Sequence, residues 1–171
     1  ISPGDLIFVE NPTYSGATQA FKSRGAKILG IPIEEDGINL EVFHNHIKKS
    51  SPKFFYMMTN YQSPTTYSYS YEKKQELIKL SEKYNFYIIE DDFMTDLNYS
   101  HKKSFSKIFM PGVRMGFMTV PNNLFKDILR VKHTTDISSS GFLQRAFDLF
   151  LRKGYWKDHI ENVKSLYPQE D

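Results

Sequence analysis

The sequence predicts an α/β fold, a three-layer α/β/α sandwich built around a mostly parallel sheet. Short apolar runs typical of buried strands alternate along the chain with longer segments whose apolar residues recur at helical spacing. Such alternation favours parallel strands joined by crossover helices. The 171 residues are enough for one domain with a sizeable core. We therefore expect a single domain over residues 1–171.

The apolar runs predict the strands, each bounded by turn residues or polar residues. In chain order, they cover residues 6–9, 27–33, 54–58, 86–89 and 115–120.

Amphipathic periodicity predicts the helices. Gly25 and Gly154 follow two of them at the position where glycine commonly ends a helix, and Ser70 suits an N-cap. In chain order, the predicted helices cover residues 16–24, 40–49, 71–84, 123–133, 141–153 and 155–166.

Composition excludes several classes of site and partner. The chain has no cysteine, which removes disulfides, thiolate metal sites and a cysteine nucleophile. The net charge of +2 gives no reason to expect direct contact with nucleic acid or a membrane. His44 and His46 lie two apart on a predicted helix, hence on different faces, so we expect no metal site there. A cytoplasmic protein without a membrane partner is expected.

Polar and aromatic residues follow three of the predicted strands. They are Tyr14, the loop 60–66 and the acidic run that begins at Glu90. Because ligands of parallel sheets bind beyond the carboxyl ends of the strands, these residues are expected to converge on one edge. Each also has an ordinary explanation: a half-buried tyrosine, turn chemistry, or a solvated strand end.

The segment 104–116 combines the groups that an aldehyde and a phosphate require. Lys107 has apolar neighbours, which favour the neutral, reactive amine. Hydroxyls at Ser104 and Ser106 and the guanidinium of Arg114 suit a phosphate. The alternative is a loop with one solvated lysine and one surface arginine.

Four motifs in a fixed order produce a resemblance to a known family. They are Pro-Thr-Tyr at 12–14, Gln-Ser-Pro-Thr at 62–65, Glu-Asp-Asp-Phe at 90–93 and Ser-Phe-Ser-Lys at 104–107. This set resembles the fold-type-I pyridoxal-phosphate enzymes of aminotransferase class I/II. It is still more similar to the aminotransferase-like domain of MocR-type transcription regulators of the GntR family. The resemblance implies the large-domain fold of the pyridoxal-phosphate-dependent transferases.

The resemblance also assigns roles to residues. Lys107 would form the Schiff base with pyridoxal 5′-phosphate, Asp91 would pair with the pyridine nitrogen, and Tyr14 would stack on the ring. Ser63 and Phe93 would also lie at the cofactor, where family members often have asparagine and tyrosine. The implied phosphate ligands are Ser104, Ser106 and Arg114.

The implied function is that of a sensor domain, which binds the cofactor and an amino-acid or vitamin B6 effector. Such a domain would form a homodimer and reach DNA only through a separate N-terminal domain. A working aminotransferase and an α/β domain that has lost its cofactor are the alternatives. We expect the DNA-binding and small C-terminal domains to lie beyond residues 1–171. A strand is expected before Lys107, but no apolar run precedes it. We therefore expect residues to be missing within 99–104, so that two successive Cα atoms there lie well above ~3.8 Å apart.

The two departures from the family pattern predict weak catalysis by the full-length protein. Phe93 cannot donate a hydrogen bond, and Ser63 offers a hydroxyl in place of an amide. We expect cofactor binding with slow or no conversion of an amino acid to its keto acid, measured by keto-acid release in a single turnover. Rapid, stoichiometric conversion would contradict this expectation.

Overall fold

The structure is a computed structural model that describes residues 1–92, 115–135 and 139–166, with the side chains of the last helix described as far as residue 162. The chain divides into two compact units, residues 1–92 and residues 93–171.

The first unit is a five-stranded sheet with three helices. Strand order is β3-β2-β1-β4-β5, and every neighbouring pair is parallel except β2 and the two-residue β3. The predicted α/β class with a mostly parallel sheet is confirmed. The elements are β1 Leu6–Asn11, α1 Ser15–Ser23, β2 Lys27–Glu34, β3 Gly37–Ile38, α2 Leu40–Ile47, β4 Phe54–Met57, α3 Tyr71–Tyr84 and β5 Tyr87–Glu90.

Alternate residues of β4 contact helices on opposite faces of the sheet. Phe54 and Tyr56 pack their rings against Phe21 of α1, with centroids 5.3 and 5.5 Å away. Phe55 points the other way, 5.3 Å from Phe43 of α2, within the main core cluster. This alternation follows from the two-residue period of a strand. It makes the unit a helix–sheet–helix sandwich, as expected.

The structure confirms the predicted cap at Ser70 and the predicted stop at Gly25. Ser70 accepts a hydrogen bond from the Lys73 amide and caps α3. Gly25 follows α1 with φ +76°, a conformation that costs glycine little because it has no Cβ.

The second unit contributes three described helices, α4 Asn122–Thr135, α5 Gly141–Arg152 and α6 Tyr155–Leu166. All three were predicted. The strand predicted over 115–120 was wrong, since these residues have no regular secondary structure. An apolar run becomes a strand only when a neighbouring strand pairs with it. In the described ranges, no helix is both long enough and apolar enough to span a membrane.

Truncation of Leu77 tests the packing of α3 on the sheet. Leu77 is fully buried in the core cluster, whereas the adjacent Ile78 is 46% exposed. Leu77→Ala should lower the free energy of unfolding by about 2–5 kcal/mol, because it removes buried methyl groups and leaves a cavity. Urea unfolding measures this change. The control Ile78→Ala should change it by about 0.5 kcal/mol or less, and equal losses for both variants would refute this packing.

Candidate functional site

Three predicted site residues follow adjacent parallel strands of the first unit. Tyr14 lies between β1 and α1, Ser63 lies between β4 and α3, and Asp91 directly follows β5. Since β1, β4 and β5 are neighbours and parallel, their carboxyl ends share one edge of the sheet. The structure therefore brings these three residues to that edge.

Asp91 is held there by a buried phenol. The hydroxyl of Tyr56, on β4, donates a hydrogen bond to Asp91 Oδ2 at 2.6 Å. Tyr56 is 4% exposed, and burial, followed by the Asp91 carboxylate, raises the pKa of its hydroxyl. The phenol therefore stays protonated and donating at neutral pH. Asp91 itself is only half-buried and remains accessible to a ligand.

Tyr14 presents an aromatic face at the same edge. Tyr14 is 49% exposed. The ring lies over Gly16, where an added Cβ would come within 2.6 Å of it. Any larger residue at 16 would displace the Tyr14 ring. A half-exposed ring at the edge that also carries the Asp91 carboxylate suits a planar, protonated heterocycle.

Behind this edge lies a buried carboxylate that the sequence analysis missed. Glu10 is 1% exposed, and its Oε1 accepts from the Met58 amide at 2.9 Å and from the Tyr69 hydroxyl at 2.8 Å. Its Oε2 accepts from Gln62 Nε2 at 2.9 Å and from Thr13 Oγ1 at 3.4 Å. Burial raises the pKa of the Glu10 carboxyl, although all four donors oppose that rise.

Gln62 uses all of its hydrogen-bonding capacity without reaching solvent. Its Nε2 donates to Glu10 and to the Pro12 carbonyl oxygen, the latter at 2.7 Å. Its Oε1 accepts from the Thr65 amide at 3.1 Å and from Thr65 Oγ1 at 2.7 Å. An amide offers two donors and two acceptor positions, so this side chain is saturated. Ser63, half-buried, follows directly.

One signal in the sequence could have indicated Glu10. The apolar strand Leu6-Ile7-Phe8-Val9 continues into an acid with no turn residue between them. A charged residue inside a buried strand requires hydrogen-bonding partners. Nothing in the one-dimensional pattern points to Gln62 as that partner, because the two residues are 52 positions apart.

The remaining predicted site residues lie outside the described residues. They are Phe93, Ser104, Ser106, Lys107 and Arg114, and the expected interruption within 99–104 lies outside as well. Over residues 1–92, 115–135 and 139–162, no three histidine or acidic side chains are placed to hold a metal ion.

Comparison with known proteins gives a family match over most of the chain. The family model described as aminotransferase class I and II matches residues 1–153. A solved structure, the kynurenine aminotransferase of Pyrococcus horikoshii in complex with PMP, superimposes with a TM-score of 0.90. It is 26% identical, and the match covers 98% of this chain and 47% of that one.

The curated relatives include both regulators and enzymes. The uncharacterized HTH-type transcriptional regulator YcxD of Bacillus subtilis is 30% identical, over 96% of this chain and 41% of its own length. The aromatic-amino-acid aminotransferase 1 of Thermococcus litoralis is 27% identical, over 100% of this chain and 46% of its own length. The probable rhizopine catabolism regulatory protein MocR of Rhizobium meliloti is 27% identical, over 99% of this chain and 37% of its own length. The chain thus spans less than half the length of each.

Removing the Tyr56 hydroxyl tests the link to Asp91. Tyr56→Phe should lower the free energy of unfolding by about 1.5–3 kcal/mol, because a buried hydrogen bond to a carboxylate is lost. Chemical denaturation measures this loss. Tyr71→Phe is the matched control, since Tyr71 is 71% exposed, and it should change stability by about 0.5 kcal/mol or less. If the two variants are equally stable, the Tyr56–Asp91 hydrogen bond contributes nothing.

Proposed function

This chain belongs to the aminotransferase class I and II family, and we propose that it is the pyridoxal-phosphate-binding sensor domain of a bacterial MocR-type regulator of the GntR family. The main support is the Asp91 carboxylate, held by Tyr56 at the sheet edge that also carries the half-exposed Tyr14 ring. That pair supplies the counter-charge and the aromatic face that a protonated pyridine ring needs.

The cofactor follows from the family, and the described residues fit it. Family membership implies pyridoxal 5′-phosphate. Asp91 would hold the pyridine nitrogen in its protonated form, and Tyr14 would cover one face of the ring. Tyr56 would keep the Asp91 carboxylate aimed at the ring. When bound, the cofactor supplies an aldehyde and an electron-withdrawing ring.

The covalent anchor is assigned by the motif order alone. Lys107 would provide the amine, and Ser104, Ser106 and Arg114 would hold the phosphate. Ser63 would approach the ring from the loop that Gln62 fixes.

The choice of a regulator over an enzyme rests on two positions and on the relatives. Phe93 has no polar group, and Ser63 has a hydroxyl where many family enzymes carry an amide. Both differences favour binding of the cofactor without catalytic turnover of an amino acid. YcxD and MocR, which match nearly the whole chain, carry the names of regulators.

A working aminotransferase is the second candidate. The Thermococcus litoralis relative, an aromatic-amino-acid aminotransferase, matches the full chain at 27% identity. The residues encoded ahead of Ile1 in the parent gene would separate the two candidates. A basic winged helix supports the regulator, and an aminotransferase arm supports the enzyme.

The proposed partners follow from the regulator assignment. We expect a cytoplasmic homodimer that responds to an amino acid or a vitamin B6 compound. DNA contact would come through an N-terminal domain outside residues 1–171, since the net charge of +2 gives no reason to expect direct contact with nucleic acid.

Replacement of Lys107 tests the cofactor assignment. The full-length protein, incubated with pyridoxal phosphate and desalted, should keep an absorbance band near the visible edge, and Lys107→Ala should lose it. Borohydride reduction followed by peptide mapping should place the cofactor mass on Lys107. The control Lys103→Ala should retain the band. A band that survives in Lys107→Ala, or a mass on another lysine, would remove Lys107 as the anchor.

A further inference from the structure

We propose that Glu10 and Gln62 form a buried positioning pair that fixes the loop carrying Tyr14 relative to the loop carrying Ser63. The structural part of this inference stands on the hydrogen bonds of the first unit. Its consequence for cofactor binding rests on the proposed function.

One amide group of Gln62 contacts the segment before Tyr14 at two points. Gln62 Nε2 donates to Glu10 Oε2 at 2.9 Å and to the Pro12 carbonyl oxygen at 2.7 Å. Glu10 and Gln62 are 1% and 0% exposed, so water does not compete for these bonds. Pro12 lies two residues before Tyr14, so the amide fixes the backbone from which the ring projects.

The other end of the same side chain fixes the turn around Ser63. Gln62 Oε1 accepts from both the amide and the hydroxyl of Thr65, two residues beyond Ser63. The backbone N–H of Gln62 also donates to the Tyr67 carbonyl oxygen at 2.9 Å, a hydrogen bond between two residues of the same loop. Gln62 thus joins two loops that no strand pairing connects at these residues.

Glu10 provides the fixed point because it lies in β1, and its second oxygen is bound by the two ends of the connection between β4 and α3. Its Oε1 is bound by the Met58 amide, just after β4, and by the Tyr69 hydroxyl. Tyr69 packs against Gly37, where an added Cβ would come within 2.6 Å of its ring. Each carboxylate oxygen faces an N–H group that can only donate, from Met58 or from Gln62, so position 10 requires a side chain with two acceptors.

A swap of the two side chains tests the pair directly. Glu10→Gln alone places an NH₂ group against the NH₂ of Gln62, and Gln62→Glu alone places two carboxylates together. The double variant Glu10→Gln/Gln62→Glu restores one donor and one acceptor at the contact. Recovery should be incomplete, because the Pro12 carbonyl oxygen still lacks its donor.

The first measurement is hydrogen exchange of the full-length protein without cofactor. Each single variant should exchange about tenfold faster in peptides covering residues 11–18 and 60–67. In the double variant, the exchange rates of these peptides should return most of the way to the wild-type rates. The peptide covering 71–84 should not change. If neither loop responds, or if the double variant merely adds the two single effects, the pair does not position the loops.

The second measurement is the affinity for pyridoxal phosphate at a temperature where every variant is folded. Each single variant should bind about tenfold more weakly, with rescue in the double variant. Leu80→Ala, a buried α3 truncation, is the control: it should lower the thermal midpoint without changing affinity or loop exchange.

The outcomes separate the two proposals. If the loops respond but the wild-type protein binds no cofactor, the positioning pair stands and the proposed function fails. If the wild-type protein binds cofactor and the single variants bind equally well, the pair is purely structural and the inference is overturned. Should Glu10→Gln fail to fold, Tyr69→Phe removes one donor to Glu10 and should raise exchange in both loops by about threefold; no rise would overturn the inference.

Discussion

The buried carboxylate of Glu10 is the constraint on which the sheet edge depends. An ionised carboxylate without partners in a protein interior costs many kcal/mol, so its surroundings must supply hydrogen bonds. Four donors do so, Thr13 from the loop after β1 and three, including Tyr69, from the loop after β4. Loss of any of those donors would leave a buried carboxyl oxygen with one hydrogen bond fewer. The geometry of both loops is therefore tied to one acid.

Two carboxylates near this edge have different tasks because their environments differ. Glu10 is enclosed and satisfied by protein donors, which leaves it no capacity for a ligand. Asp91 is half-buried, and one of its oxygens accepts a hydrogen bond from the Tyr56 hydroxyl. An acid that is oriented on one side and accessible on the other suits pairing with a ligand cation.

This scaffold is compatible with both a sensor and an enzyme, which is why the fold alone does not assign the function. A carboxylate for the ring nitrogen and an aromatic face serve cofactor binding in either case. The difference lies in side chains that would tune the bound ring, at positions 63 and 93. If these positions lie at the ring, a serine and a phenylalanine there would weaken the hydrogen bonding to it without removing the means to hold it. The proposed sensor follows from that asymmetry.

The sequence by itself determined the layers of the first unit and the chemistry of its edge. Strand and helix periods are local properties, so α1, α2, α3 and the four parallel strands could be predicted, as could the cap at Ser70. The order of motifs placed Tyr14, Ser63 and Asp91 after the correct strands. Residues 115–120 were mistaken for a strand because an apolar run reports burial preference and contains no information about a pairing partner.

Only the tertiary structure decided which polar groups meet. Glu10 and Gln62 are 52 residues apart, and Tyr56 and Asp91 are 35 apart, so no local pattern links either pair. Strand order brings β1, β4 and β5 side by side, and that order converts three separate loops into one edge. Hydrogen-bond partners depend on distance and direction in space. The sequence therefore names the groups, and the pairing of strands determines which of them bind each other.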